Sequence, residues 1–323
     1  MTEAPLLTVE GLRTRFGGAG RSVPAVRDVS FSIGRKEVLG LIGESGSGKT
    51  VTGLSILRLL PDHATVNARV LAFKGRDLSS LDDEAFRVLR GVEMAMIFQD
   101  PVGSFNPAKT VGWHLQNAIL RREGPGGAAS WAEQAAAMLA DVGIRAPARV
   151  LASYPHQLSG GMLQRALIAM IIALKPSLII ADEPTTNLDN LVERQILDLI
   201  RLHQDKLGAS VLFITHDLGI AGDICDRIAV MYAGEIVEIG PTEEVLKRPR
   251  HPYSAGLLAT SQSLDRGDAE LFELPGEPGG RIPEAGCAFA ARCRAVMPKC
   301  RQESPALVPV DPDHQARCWL NDR

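Results

Sequence analysis

The sequence has no apolar run long enough to cross a bilayer. The longest uninterrupted one, residues 166–174, is about half of the roughly 20 residues that a membrane-spanning helix needs. The N-terminus also lacks the basic stretch and apolar run of a secretory signal. We therefore expect any association with a membrane to depend on a partner protein.

The net charge is also small, and aromatic residues are few. The 323 residues carry a formal net charge of −3, and 5% of them are aromatic. No global basic field is present to attract DNA or RNA, so we expect no nucleic-acid partner. The 45% of hydrophobic residues is ordinary for a globular protein, and the length allows one large domain and a smaller one.

Cysteine is too rare for a disulfide scaffold. Four of the five cysteines follow residue 286, with gaps of five, six and seventeen residues that lack the paired C-x₂-C of zinc ribbons. Four thiolates can enclose a metal ion or an iron–sulfur cluster, which would stabilise a tail with little core of its own. An iron–sulfur cluster, zinc and reduced structural thiols all stay open at this point. The four residues are Cys287, Cys293, Cys300 and Cys318.

Strand and helix patterns alternate along much of the chain, as a parallel sheet with crossover helices requires. One helix is predicted after Ser159, with one buried apolar face and an end at Lys175-Pro176. The predicted strands are 6–9, 28–33, 38–42, 178–181 and 210–214, and the other predicted helices are 50–60 and 191–207.

A change of texture after Gly240 predicts the domain organisation. We expect one α/β domain over residues 1–240, with an irregular helical lobe at about 103–165. A C-terminal extension is predicted over 241–323, containing a Pro/Gly-rich linker near 275–280 and the four cysteines.

A glycine-rich loop follows the predicted strand at 38–42. It fits the pattern G-x-x-x-x-G-K-[ST], in which backbone N–H groups curl around the β-phosphate of a nucleotide. Lys49 is predicted to neutralise phosphate oxygens, and the Thr50 hydroxyl to ligate Mg²⁺. A plain glycine turn before a helix is the alternative, but the strand–loop–helix context favours the nucleotide. The predicted nucleotide-binding residues are Gly43, Glu44, Ser45, Gly46, Ser47, Gly48, Lys49, Thr50 and Val51.

Polar residues that end other apolar runs are candidates for chemistry at the phosphates. Asp182 suits a support for Mg²⁺, and Glu183 is the candidate general base that polarises the attacking water. Gln99 could reach Mg²⁺ and that water. His216 is expected to contact the γ-phosphate. Taken alone, the acidic pair is also explained as capping a strand end, and His216 as a surface or capping residue.

The segment Ser159-Gly160-Gly161 opens the helix that ends at Lys175. Ser159 stands in N-cap position, and the glycines permit close approach of a phosphate that the helix dipole favours. An ordinary capped helix is the alternative, although no Glu or Gln stands at 162 to complete a capping box.

Taken in chain order, these motifs resemble the ABC-type ATPases over roughly residues 6–240. The resemblance implies a P-loop NTPase fold, with a RecA-like core, an antiparallel β lobe and a helical lobe. It also implies ATP and Mg²⁺ as cofactors, Phe16 stacking on adenine, and Asp189 coupling two sites across a dimer. In that dimer the Ser159 segment of one subunit covers the nucleotide of the other. The motifs that carry the resemblance are 43–50, Gln99, 158–162, 178–183, Asp189 and His216.

A finer resemblance is to the ATPase subunits of oligopeptide/dipeptide importers. It implies a peripheral protein at the cytoplasmic face of the membrane, with two permeases, a second ATPase (a paralogue), a solute-binding protein and a [4Fe–4S] cluster on the four cysteines. Relatives that import nickel chelates, opines or glutathione, and soluble ATPases of DNA repair or translation, are the alternatives. Asn187 and Asn190 depart from the usual Ala and Val. The matching segments are 98–101, 104–107, 251–253, 286–289 and 292–293.

Overall fold

The computed structural model describes residues 4–17, 22–124, 130–186, 190–266, 274–276, 283 and 285–322. The chain forms two compact units, one made of Met1–Ser79 with Leu212–Arg323 and the other of Ser80–Val211. We call them the first and the second unit. Residues 241–323 fall in the first unit, and the predicted boundary at 240 stays a prediction.

Most of the strands lie in the first unit. In chain order the strands of the protein are β1 Leu7–Phe16, β2 Val23–Ile33, β3 Val38–Ile42, β4 Ala64–Asn67, β5 Val70–Phe73, β6 Arg76–Asp77, β7 Met94–Ile97, β8 Leu178–Asp182, β9 Ser210–Thr215, β10 Arg227–Tyr232, β11 Glu235–Pro241, β12 Val308–Asp311 and β13 His314–Ala316.

The α-helices are divided between the two units. In chain order they are α1 Lys49–Ile56, α2 Asp83–Leu89, α3 Val111–Glu123, α4 Trp131–Asp141, α5 Pro147–Ala152, α6 Gly160–Leu174, α7 Asn190–Leu207, α8 Leu218–Ile224, α9 Thr242–Lys247 and α10 Pro252–Arg266.

In the first unit the strands run in the order β6-β5-β1-β2-β11-β10-β3-β9, and β9 begins just before Leu212. The long hairpin of β1 and β2 is antiparallel, whereas β3 is parallel to β10 and all five of its residues are buried. This apolar strand leads directly into the glycine-rich loop and α1. The extension joins the sheet through β13, which pairs with β11 at Glu238 and Ile239.

In the second unit β7 and β8 are parallel neighbours, with Ile97 opposite Ala181. Both strands are entirely buried. Gln99 and Glu183 follow the carboxyl ends of these strands and are thereby brought to the same edge. Helix α6 buries an apolar face and ends at Lys175, whose φ of 46° is left-handed.

Within the described residues, no helix combines the length and the apolar character that crossing a membrane requires.

Candidate functional site

The glycine-rich loop is shaped by positions where no side chain fits. A Cβ on Gly43 would lie 2.2 Å from the backbone oxygen of Met231. Gly46 and Gly48 have φ of 79° and 105°, values that L-residues rarely adopt. The chain therefore turns tightly between β3 and α1 and brings successive N–H groups to one side, as an anion-binding loop requires.

Two buried polar groups of this loop fit a phosphate. The Lys49 ammonium, on a residue that is 5% exposed, donates to the carbonyls of Gly43 at 2.7 Å and Glu44 at 3.1 Å. The Ser47 hydroxyl is buried and has no hydrogen-bond partner among the described residues. A buried cation beside an unsatisfied hydroxyl is the donor set that a phosphate oxygen satisfies. Thr50 is exposed in the first turn of α1 and Val51 is half-buried.

The second unit brings Gln99 and Glu183 together. The Gln99 amide donates to the Glu183 carboxylate at 3.0 Å, and the Thr186 hydroxyl donates to the same oxygen at 2.9 Å. Glu183 has a left-handed φ of 44°, which costs a non-glycine residue about 1–2 kcal/mol. Its carboxylate is thus held by two donors on a strained backbone, an arrangement found where a side chain must be aimed. Asp182, just before it, is buried at the end of β8.

The Ser159 segment is exposed at the start of α6. The Ser159 hydroxyl accepts from the Met162 amide at 3.4 Å, a long cap hydrogen bond. A Cβ on Gly160 would meet nothing within 4 Å, and one on Gly161 only the Val192 side chain at 3.5 Å. Packing among the described residues therefore does not require these two glycines.

Phe16 and His216 lie in the first unit. Phe16 ends β1 opposite Val23, whose side chain is 57% exposed, and its ring lies 6.0 Å from that of His63. This leaves an apolar surface suited to a flat base. His216 is exposed directly after β9. Asp189 lies outside the described residues.

The four cysteines of the extension line one cavity. None of them forms a disulfide within the described part of the chain. Burial raises the pKa of Cys287 to about 11, and it also raises the pKa values of Cys293 and Cys318. Opposing this, each of these three sulfurs accepts from the backbone N–H two residues ahead, which favours the thiolate. The donors are Phe289, Ala295 and Leu320.

Among the described residues, no three His, Cys, Asp or Glu side chains are placed to hold one metal ion. The expectation of a metal-binding extension, with a [4Fe–4S] cluster or another metal, is therefore not supported by the described residues. Zinc needs tetrahedral sulfurs about 4 Å apart, because Zn–S bonds are about 2.3 Å long. The [4Fe–4S] cluster stays a prediction.

Sequence reasoning missed two partners of Glu44. Arg292 donates from both terminal nitrogens to its carboxylate, at 2.6 and 2.9 Å. The Tyr253 hydroxyl accepts from its backbone N–H at 2.9 Å. Both residues belong to segments that carry the family resemblance, but no spacing rule links them to a loop more than 200 positions earlier.

Comparison with known proteins shows the family of this chain. The family model described as ABC transporter matches residues 26–186, and the one described as oligopeptide/dipeptide transporter, C-terminal region, matches 237–300. A probable peptide ABC transporter ATP-binding protein, y4tR of Sinorhizobium fredii, is 46% identical over 98% of this chain and 95% of its own length. The dipeptide transport ATP-binding protein DppD of Bacillus subtilis is 43% identical over the same shares.

Among solved structures, the fold is similar to a dimeric post-hydrolysis state of the ATP-binding cassette MJ0796 bound to ADP and Pi. The TM-score is 0.64 at 24% identity, over 73% of this chain and 98% of that one. The mixed sheet with its glycine-rich loop is therefore the P-loop ATPase fold expected from the sequence.

Proposed function

This chain belongs to the ATP-binding subunits of the oligopeptide/dipeptide ABC transporter family, and on that basis we propose that it hydrolyses ATP to drive the import of peptides. The relatives that match it over nearly its whole length are named as peptide or dipeptide transport proteins. Neither the DNA-repair and translation alternatives nor the nickel-chelate, opine and glutathione importers gain support from them. The observation that carries the proposal is the carboxylate of Glu183, aimed by Gln99 and Thr186 at the end of a buried strand.

The glycine-rich loop supplies the binding half of the reaction. Its backbone N–H groups, the Lys49 ammonium and the buried Ser47 hydroxyl surround the phosphates. Phe16 stacks on the adenine. Thr50, Gln99 and Asp182 would hold Mg²⁺, which neutralises charge on the phosphate oxygens when bound.

Glu183 supplies the chemical half. It accepts a proton from the attacking water, while Gln99 keeps the carboxylate oriented and His216 contacts the γ-phosphate. The Gln99 amide, which donates to this carboxylate at 3.0 Å, would have to leave it to bind Mg²⁺, and the freed oxygen could then accept from the water.

The Ser159 segment completes the site of a second ATPase subunit, a paralogue in our proposal. A Cβ on Gly160 would meet none of the described residues within 4 Å, so the neighbour's phosphates would be able to approach the start of α6 closely. Asp189 would couple the two sites.

Replacing Glu183 by Gln tests the proposed function. The amide keeps the shape and cannot take the proton, so we expect ATP binding to persist while hydrolysis falls by about 100-fold or more. Equilibrium ATP binding and steady-state phosphate release on the assembled transporter measure the two effects. The control is Glu84→Gln, which changes an exposed glutamate of α2. Near-normal turnover by Glu183→Gln would remove Glu183 from the proposed role.

The extension is proposed to hold a [4Fe–4S] cluster. Four thiols on one cavity, three of them receiving backbone N–H bonds, form a donor set suited to it, and such bonds tune cluster potentials. Bound there, the cluster would cross-link the extension. Anaerobic purification should give iron and inorganic sulfide in equal amounts, and Cys300→Ser should lose both. Stoichiometric zinc, or no metal in the anaerobic protein, would contradict the cluster.

We propose that this subunit associates with the membrane only through partner proteins. Phe98, Val102 and Trp113 are exposed apolar residues on and after the Gln99 segment, and they suit a loop of the permease. Two permeases and an external solute-binding protein complete the importer, with this subunit peripheral at the cytoplasmic face.

A further inference from the structure

We propose that Arg292 is a positioning residue for ATP: it fixes the start of the phosphate loop from within the extension, next to the cysteine cavity. The inference rests on the proposed function, because it concerns the same nucleotide site. It assigns Glu44 a second task, as the acceptor of a clamp formed by the C-terminal part of the chain.

The Arg292–Glu44 pair is bidentate and largely buried. The arginine side chain is 6% exposed and that of Glu44 20%. The third donor of the guanidinium, Nε, is bound to the carbonyl of Pro275 at 2.7 Å. Two parallel N–H···O bonds fix the carboxylate in direction as well as in place, which a single point charge would not do.

Aromatic rings shield this pair from water. The guanidinium carbon lies 5.8 Å from the centre of the Tyr232 ring and 5.9 Å from that of Phe289. The Tyr253 ring packs against both, with its centre 4.7 Å from that of Tyr232 and 5.4 Å from that of Phe289. Removing one partner of such a shielded pair leaves an uncompensated charge, which costs far more than breaking an exposed pair.

Glu44 passes this constraint to the ATP-binding lysine. Its N–H is bound by the Tyr253 hydroxyl, and its carbonyl accepts from Lys49 at 3.1 Å and from the Ser47 amide at 3.2 Å. One residue is therefore held at its side chain, its N–H and its carbonyl. Releasing the side chain loosens the carbonyl on which the Lys49 ammonium rests and leaves a bare carboxylate beside the triphosphate.

The chain offers a matched control in Arg317. Arg292 and Arg317 each stand immediately before a cysteine that lines the cavity, and both are mostly buried. Arg317 pairs with Asp28 at 3.5 Å and donates to the carbonyl of Ile236, away from the phosphate loop. A purely structural effect of losing an extension arginine should appear in both variants.

The experiment compares full-length wild type, Arg292→Gln, Arg292→Lys, Arg317→Gln and the double variant Glu44→Gln/Arg292→Gln. Equilibrium binding of Mg-ATP, KM and kcat on the assembled transporter, and melting temperature are measured for each. We expect Arg292→Gln to raise the Kd and KM for ATP about tenfold, equal to about 1.4 kcal/mol, with a smaller change in kcat. Arg292→Lys should lie between it and wild type.

Two further results separate positioning from stability. The double variant should bind ATP better than Arg292→Gln, because it removes the bare carboxylate. Arg317→Gln should lower the melting temperature without raising Kd. Equal Kd increases in Arg292→Gln and Arg317→Gln, or none in Arg292→Gln, would overturn the inference while wild type still binds ATP. If wild type bound no ATP, the proposed function itself would fail.

Discussion

Among the residues of the phosphate loop, Gly43 has the least room for a side chain. A Cβ there would meet the Met231 backbone oxygen at 2.2 Å and the Ser47 hydroxyl oxygen at 2.9 Å. Backbone atoms of a buried strand cannot move aside as a flexible side chain can, so β10 or the loop must shift.

We therefore predict that Gly43→Ala destabilises the protein by about 2–3 kcal/mol and weakens ATP binding. Gly46→Ala is the matched control, because its Cβ would meet nothing within 4 Å and only the left-handed φ opposes it, at about 1 kcal/mol. Denaturant unfolding of both variants measures the difference. A Gly43→Ala variant no less stable than Gly46→Ala would contradict the close contact.

Candidate residues for this site could be proposed from the sequence where a chemical pattern is short. Lys49 and Glu183 could be proposed because each lies within a few residues of an apolar run that defines a strand end. The Glu44–Arg292 contact could not, because its partners are 248 positions apart and the sequence shows only an acidic and a basic residue. The left-handed φ of Glu183 could not be predicted either, because the position is not a glycine.

At the level of elements, the sequence predicted the bounds of the fully buried strands well and those of the β1–β2 hairpin less well. Predicted strands 178–181 and 210–214 differ by one residue from β8 and β9, since uninterrupted apolar runs leave few alternatives. The predicted strand 6–9 overlaps the longer β1 at residues 7–9, and the predicted strand 28–33 is the last part of the longer β2. Register shifts after Val9, where Gly11 has φ of 60°, break the alternation that would reveal the rest.

The ends of the helices depend on local backbone conformation, which the sequence pattern shows only in part. Predicted helix 50–60 begins one residue late and runs past the observed end of α1 at Ile56, because Arg58 adopts a left-handed φ of 49° before the expected stop at Pro61. The helix after Ser159 was predicted to end at Lys175, and α6 does end there, on another left-handed residue. A proline in the sequence indicates where a helix stops, but the left-handed φ of Arg58 and Lys175 cannot be read from the residue type.

For the whole molecule, the proposal requires a nucleotide site that is shared between subunits. Ser159 is exposed, its cap hydrogen bond is long, and packing against the part of the chain that the structure describes gives no reason for the glycines after it. These properties fit a helix start that serves a neighbour's phosphates rather than its own fold.

We predict that Ser159→Ala lowers stability by less than about 1 kcal/mol, because the lost cap bond is weak. ATP should still bind to the variant's own phosphate loop with unchanged Kd, since Ser159 serves the other subunit. Hydrolysis in the assembled transporter should nevertheless fall by about 100-fold, as expected when one donor to the developing phosphate charge is removed. The control is Thr110→Ala, which removes the N-cap of α3, a 3.2 Å hydrogen bond to the Trp113 amide, and should cost stability without reducing hydrolysis. Parallel losses of hydrolysis in the two variants, or full activity of a strictly monomeric preparation, would show that each subunit completes its own site.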